Sequence, residues 1–345
     1  MMVRNGSEPL RIKVHTKDVA SCMVADKELV RRKMDWVLTN QKQGRRILTG
    51  VEFGPEFSDG GFAVVFSGVL DNLQKVAVKV RHATGTRPDR SLFRELEHQR
   101  NLCRALKRYL GGMGMDDEMP VLTEMCLEFV PELNLTFLCM PLLGQDLFST
   151  LSDRELYLMQ DRKMSHSLAE LLVHLITALA ILHATGRFHG DLKPENVCRD
   201  HRDAAFPWKL IDFASTWDTA GTPLYTAPEH RGNGCVVAFT QKRDMWALGI
   251  MVWGLLCFEE PWHLARKSDK RFNKYVRSPR DFVDYHVGRG DDDLDAFLLG
   301  VLHPEPSKRL CISEVMGTAF ARRAFGSYTS PSVKFKNLAE KLWNP

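Results

Sequence analysis

The sequence predicts an α+β chain in which a small β-rich lobe precedes a larger, mainly helical one, and three observations carry that prediction. Between Ile47 and Val80 short β-branched runs, VVFSGV and KVAVKV, alternate with Gly and Asp-Asn punctuation, the pattern of an antiparallel sheet. From about Gln145 onward apolar residues recur at helical spacing. The chain also has 345 residues, 44% of them apolar, enough for the core of one large domain or two ordinary ones.

Residues 1–45 are polar except after Asp26, a candidate N-cap, where Leu29, Val30, Met34, Val37 and Leu38 share a helical face. This stretch reads as an N-terminal extension with one amphipathic helix. Residues 46–141 form the β-rich lobe. Within it SDGGFAVVF (Ser58–Phe66) sets a glycine-bearing turn between two strands, where backbone N–H groups can approach a phosphate or merely close a hairpin. Lys79 ends the apolar strand KVAVK, and a cation held there needs an anionic partner. In SLFRELEHQRNLCRAL an apolar helical face runs through Leu92, Leu96, Cys103 and Leu106. Glu95 interrupts that face, whereas Glu97 points roughly 200° away at about 100° per residue. Glu95 is therefore the expected partner of Lys79. Residues 142–345 form the helical lobe and a C-terminal tail, with helical patterns at 167–185, 244–258 and about 293–302.

The charge, +4 from 47 basic and 43 acidic residues, is too balanced to predict a nucleic-acid partner. Eight cysteines lack CxxC pairs or matching His spacing, which disfavours zinc and disulfide scaffolds and fits a reducing compartment. The N-terminus has no signal-peptide core. The apolar stretch MWALGIMVWGLLCF falls short of the roughly 20 residues that span a bilayer, so no membrane span is expected. These features predict an intracellular chain, cytoplasmic or nuclear; a secreted effector would need a leader removed ahead of residue 1. Seven Lys or Arg lie between Arg266 and Arg280, followed by an acidic DDDLD. A solvated helix face is the plainer reading of that run and a dock for an acidic partner the sharper one.

The stretch RFHGDLKPENV concentrates a carboxylate, a cation and an amide within six residues. Asp191 can orient an attacking hydroxyl and take its proton, Lys193 can neutralise a phosphoryl group in transfer, and Asn196 offers an oxygen to Mg²⁺. Sixteen residues on, Asp212 follows the apolar pair Leu210 and Ile211 and suits a second metal contact. Positioning and electrostatics of this kind supply most of the catalysis in phosphoryl transfer.

These residues resemble a eukaryotic-type protein kinase over about residues 46–325. HGDLKPEN resembles the catalytic loop H-R-D-L-K-x-x-N, KVAVK resembles V-A-I-K, DFA resembles D-F-G, and GTPLYTAPE resembles the segment ending in A-P-E. RDMWALGIMVWGLL resembles the helix whose Asp, here Asp244, braces that loop, and Arg309 resembles the arginine that pairs with Glu229. The resemblance implies a bilobal kinase fold that uses ATP and Mg²⁺. Its implied catalytic set is Asp191, Lys193, Lys79 and Glu95, and its metal ligands are Asn196 and Asp212. Its implied nucleotide contacts are Ser58, Gly60, Gly61, Ala63, Val65, Ala77, Lys79, Met140, Leu143, Asp146 and Cys198, with Met140 sizing the pocket, the Leu143 backbone facing adenine and Asp146 near the ribose. Lys193 and Thr222 fit a serine/threonine kinase acting on a protein substrate. Glu195 and Asp146 favour an acceptor with basic residues before its phosphosite.

Several positions depart from the family pattern. Gly190 replaces the usual Arg of H-R-D, and only 18 residues separate Asp212 from Glu229 inclusive. Together these predict activity independent of activation-loop phosphorylation, with Ser215, Thr216 and Thr219 as the remaining sites. Ala214 replaces the glycine of D-F-G, while Ser58 and Ala63 stand at the first and third glycine positions of the loop, which restricts the backbone near phosphate. Gln99 is polar where the family packs an apolar side chain. The H-G-D form also resembles that of rhoptry kinases and of Bub-type checkpoint kinases. Two rivals follow: a pseudokinase scaffold that binds nucleotide without transfer, and a small-molecule phosphotransferase, which would lack the A-P-E segment and its arginine.

Overall fold

The computed structural model describes residues 13–14, 26–43, 48–59, 63–83, 86–115, 119–122, 124–150, 159–160, 163–213, 222–230, 241–288 and 290–343. The chain divides into two compact units, Met1–Asn101 with Leu122–Leu143, and Leu102–Val121 with Gly144–Pro345.

The first unit is built on a five-stranded antiparallel sheet of order β3-β4-β5-β7-β6. Its strands are β3 (Val51–Asp59), β4 (Val64–Leu70), β5 (Lys75–His82), β6 (Cys126–Val130) and β7 (Leu135–Pro141), preceded by the short pair β1 (Lys13–Val14) and β2 (Leu48–Thr49). Strand alternation sends Val64 and Phe66 of β4, with Val76, Val78 and Val80 of β5, to one buried face. Helix α1 (Asp26–Lys42) covers that face with Val30, Met34 and Val37, so the sheet's apolar side is closed by residues ahead of its first strand. Polar contacts fix the helix in register. Gln41 exchanges two hydrogen bonds with the Phe53 backbone (3.0 and 3.2 Å), Arg31 forks Glu56 (2.9 Å), and the buried Lys33 ammonium donates to Leu133 O.

Helix α2 (Arg90–Gly111) begins at a cap, where Asp89 Oδ1 accepts from the N–H groups of Ser91 and Leu92. Leu92, Leu96 and Leu106 are buried, as their spacing predicts. Cys103 is only half-buried and Leu102, 0% exposed, takes that place on the apolar face. From Leu102 on the helix belongs to the second unit, whose core takes Leu102 together with Leu106 and Leu110.

The second unit is mainly helical: α3 (Leu147–Thr150), α4 (His166–Ala184), α5 (Gln241–Cys257), α6 (Lys270–Arg277), α7 (Pro279–His286), α8 (Asp292–Val301), α9 (Ile312–Gly317), α10 (Ala319–Ser327) and α11 (Val333–Trp343). Two small hairpins, β8 (Met159–Gln160) with β9 (Lys163–Met164) and β10 (Val197–Arg199) with β11 (Trp208–Leu210), complete it. Helix α4 is apolar all round, so packing on every side rather than amphipathicity holds it. Among the described residues it is the one helix long and apolar enough to cross a membrane. Its most apolar window is 83% buried inside the protein, which makes it a core helix. Trp246, Trp253 and Trp262 are likewise fully buried.

The C-terminal helix α11 joins this core. Trp343 Nε1 donates to Thr177 Oγ1 of α4 at 3.1 Å and stacks on Phe325, while Phe335 lies 4.1 Å from the His174 ring. His174 is 0% exposed, and burial pushes its imidazole down to about 4. A histidine kept neutral in the fold must gain a proton on unfolding. Stability is therefore complete above the unfolded value of 6.5 and falls as pH drops from there toward 4. We expect His174→Phe to flatten the decline of melting temperature over that range, removing up to roughly 3 kcal/mol of pH-linked destabilisation; equal slopes would refute it.

Candidate active site

In the first unit β5 carries Lys79 on the sheet face opposite the α1-covered one. Its ammonium donates to Glu95 Oε1 of α2 at 2.7 Å, with side chains 18% and 9% exposed. The pair predicted from an interrupted apolar stripe is thus formed. Cross-strand registers place Val65 opposite Lys79, and Ala77 opposite Met140, so these residues share the face that holds Glu95. Ala77 and Met140 are nearly buried. Ala63 is buried just before β4, and Leu142 N–H donates to Lys75 O beside the half-buried Leu143. Gln99, the polar residue one turn beyond Glu95, is buried and its amide donates to Leu122 O, which satisfies the group where an apolar side chain was expected. The turn glycines Gly60 and Gly61 lie outside the described residues. So does the Ser58 side chain, although its backbone belongs to β3.

In the second unit the catalytic-loop stretch hangs from one buried carboxylate. Asp244, 1% exposed in the first turn of α5, accepts from Gly190 N at 2.9 Å, His189 N at 2.8 Å and His183 Nε2 at 2.9 Å. Burial alone would raise its carboxyl, but the His183 bond and the Gly190 N–H outweigh it and hold Asp244 below the usual carboxylate range. An acidic group in the first helical turn also suits the helix dipole. Gly190 takes φ +85°, a conformation that a side chain rarely adopts.

Burial depresses the basicity of His189, which leaves its ring neutral. Nε2–H donates to Ile211 O at 2.9 Å and Nδ1 accepts from Asp191 N at 3.3 Å, so one imidazole ties the loop to the strand that delivers Asp212. The Phe213 ring lies 4.5 Å from it. Ile211 N in turn donates to Asn196 O at 3.0 Å, which sets Asp212 beside Asn196. Asp212 itself sits at φ +61°, a region that Asp tolerates better than most residues.

The Asp191 carboxylate is held on three sides. Lys193 Nζ lies 3.1 Å from Oδ2, Thr222 N donates to Oδ1 at 3.2 Å, and Asn196 Nδ2 donates to Oδ2 at 3.4 Å and, more closely, to the Asp191 backbone carbonyl at 2.8 Å. Lys193 also donates to Thr222 Oγ1 at 3.0 Å. Because the Asn196 nitrogen is engaged, its amide oxygen is the atom left for a cation. Asn196 Oδ1 and Asp212 together suit Mg²⁺, which prefers one or two protein oxygens and completes its shell with phosphate and water. Among the described residues no group of three or more His, Cys, Asp or Glu is arranged so that it could hold a metal ion by itself.

Asp146 caps α3 by accepting from Ser149 N at 2.7 Å and bridges to Cys198 through the backbone. Burial pushes the Cys198 thiol up to about 12, so the sulfur stays protonated and unreactive. Arg309, 1% exposed, grips Glu229 with two bonds of 2.8 Å and packs on Trp246. Of the cations in the basic run, Arg271 pairs with Glu259 and Arg280 with Asp292. Ala214, Ser215, Thr216, Thr219 and Gly221 lie outside the described residues. Sequence reasoning missed His183, whose signal was a histidine near the end of a largely apolar helix that also carries His166 and His174. It also missed the two contacts of Thr222, which no local pattern announces.

With this geometry in hand, similarity to known proteins agrees with it. The family model for the protein kinase domain matches residues 52–321. A probable myosin light chain kinase of Dictyostelium discoideum is 22% identical over 84% of this chain and 79% of its own length. CBL-interacting protein kinase 16 of Oryza sativa is 24% identical over 88% of this chain and 62% of its own. Serine/threonine-protein kinase SKS1 of Saccharomyces cerevisiae is 26% identical over 55% of this chain and 40% of its own. The chain therefore spans less than two thirds of the latter two relatives.

Proposed function

Since the chain belongs to the protein kinase domain family, we propose that it transfers the γ-phosphoryl group of Mg·ATP to serine or threonine hydroxyls of a protein. The observation that carries this reading is the Asp191 carboxylate, oriented by Lys193 and Thr222 beside the Asn196 and Asp212 pair. Asp191 orients the acceptor hydroxyl and accepts its proton; Lys193, within reach of the same site, neutralises charge as it develops on the transferred group. Mg²⁺ on Asn196 and Asp212 would screen the phosphate oxygens. Lys79, held by Glu95, grips the nucleotide phosphates.

Thr222 is already tied to Asp191 and Lys193 by hydrogen bonds that need no phosphate. This supports activity independent of activation-loop phosphorylation. Alanine at Ser215, Thr216 and Thr219 together is expected to leave the rate within about threefold, a change of less than 1 kcal/mol.

A preference for basic acceptors has a local basis too. Glu195 Oε2 is fully buried with no hydrogen-bond partner among the described residues. Burial first, then the charges of Glu195 and Glu260, push the Tyr225 phenol up. The negative charge of Glu195 beside the loop would attract an arginine or lysine of the acceptor. The test of the function is incubation with Mg·ATP and matched basic peptides carrying Ser, Thr or Tyr as the sole acceptor. Transfer to Ser and Thr, weakened about 5- to 10-fold when upstream basic residues are removed, is the expected result. Transfer to Tyr alone, or to free small-molecule alcohols alone, would refute it.

A further inference from the structure

A cavity of about 10 Å³, room for roughly one water, lies against the catalytic loop and is lined by Gly190, Asp191, Thr222, Tyr225, Asp244 and Arg243. Gly190 brings no side chain to it and, at φ +85°, could hardly carry one. Arg243 enters from α5, one residue before the carboxylate that suspends the loop, and is 6% exposed. A cation so buried stays only where negative charge faces it. Asp191 and Asp244 line the same cavity as Arg243, and their charges, with that of Glu229, oppose the burial that pulls its basicity down. Two of these three carboxylates have other full charges nearby, since Glu229 is forked by Arg309 and Asp191 touches Lys193. Asp244 takes its bonds from two backbone N–H groups and an imidazole.

We propose that Arg243 is a positioning residue for the transfer: its guanidinium, beside the space at Gly190, supplies the positive charge against which Asp244 and Asp191 are held, so that the loop presents the Asp191 carboxylate to the acceptor. The proposal rests on the kinase reading above for its catalytic consequence. Arg243 touches no reacting atom and acts through Asp244 and Asp191. The effect belongs in kcat, because nucleotide contacts lie elsewhere on the chain.

The test compares Arg243→Met, Arg243→Lys and Arg243→Ala in the full chain, measuring kcat, KM for ATP, and melting temperature with and without millimolar guanidinium chloride. We expect Arg243→Met to lose about 10- to 100-fold in kcat with KM for ATP changed less than about threefold, as for loss of one preorganised charge. Arg243→Lys should recover most of that loss. Free guanidinium should raise both kcat and melting temperature of Arg243→Ala while leaving the wild type unchanged, because it restores the charge to the space that the truncation opens. Equal losses in the Met and Lys variants, or no response of Arg243→Ala to guanidinium, would overturn the proposal. If Arg243→Met fails to fold, the Lys variant and the guanidinium titration decide. A wild-type chain without transfer would overturn the kinase reading instead, and the melting response of Arg243→Ala would still uphold or overturn the charge assigned to Arg243.

Discussion

Asp191→Asn should abolish phosphoryl transfer, by about 10³-fold or more, while the chain keeps its fold and its affinity for nucleotide. The amide is nearly isosteric, so Lys193, Thr222 and Asn196 lose little packing. What disappears is the acceptor of the hydroxyl proton. Removing a positioned general base typically costs 10²- to 10⁴-fold, and misplacing the nucleophile adds to that. The loss should fall on kcat, since an interaction made only in the transition state has been removed. Initial rates at saturating ATP, with melting temperature alongside, check this. A variant within about tenfold of wild type would show that Asp191 does not handle the acceptor.

The second large effect is expected at Asp244. Asp244→Asn retains size but turns one of two accepting oxygens into a donor, and all three described partners are donors: His183 Nε2, His189 N and Gly190 N. At least one buried N–H then meets another N–H. A broken buried charged network costs about 3–5 kcal/mol, a large fraction of the 5–15 kcal/mol that holds an ordinary domain together. Denaturant unfolding reads the stability, and the rate at fixed protein concentration reads the displaced loop. Because His189 passes the register on to Ile211 and so to Asp212, activity should fall further than stability alone explains. A variant as stable and active as wild type would remove Asp244 from the role of suspending the loop.

Much of this arrangement was legible in the sequence, for reasons that differ by residue. Lys79 and Glu95 could be paired because period-2 and period-3.6 patterns each assign a side chain to a face, and a charge on an apolar face needs a partner. Asp191, Lys193 and Asn196 sit within one short loop, so their proximity follows from chain connectivity. Helix α4 is legible to within a residue or so because a long apolar run leaves few alternatives. His183 and Thr222 were not legible as site residues: they meet Asp244 and Asp191 across 61 and 31 residues of sequence, and no local period encodes such contacts. The role of α1 was half legible. Its apolar face announced a packing partner, whereas the buried Lys33 and the Gln41 pairing with Phe53 depend on where β3 and the turn between β6 and β7 happen to run.

The most direct test of the central claim, a working phosphoryl-transfer centre, is transfer of labelled γ-phosphate from Mg·ATP to a serine peptide. The wild type and Asp212→Asn are compared with nucleotide binding followed by thermal shift in the same samples. The account predicts that the wild type both binds nucleotide and labels the peptide, and that Asp212→Asn loses the label. A wild-type chain that is stabilised by Mg·ATP yet transfers nothing would contradict it and leave a nucleotide-binding scaffold in its place.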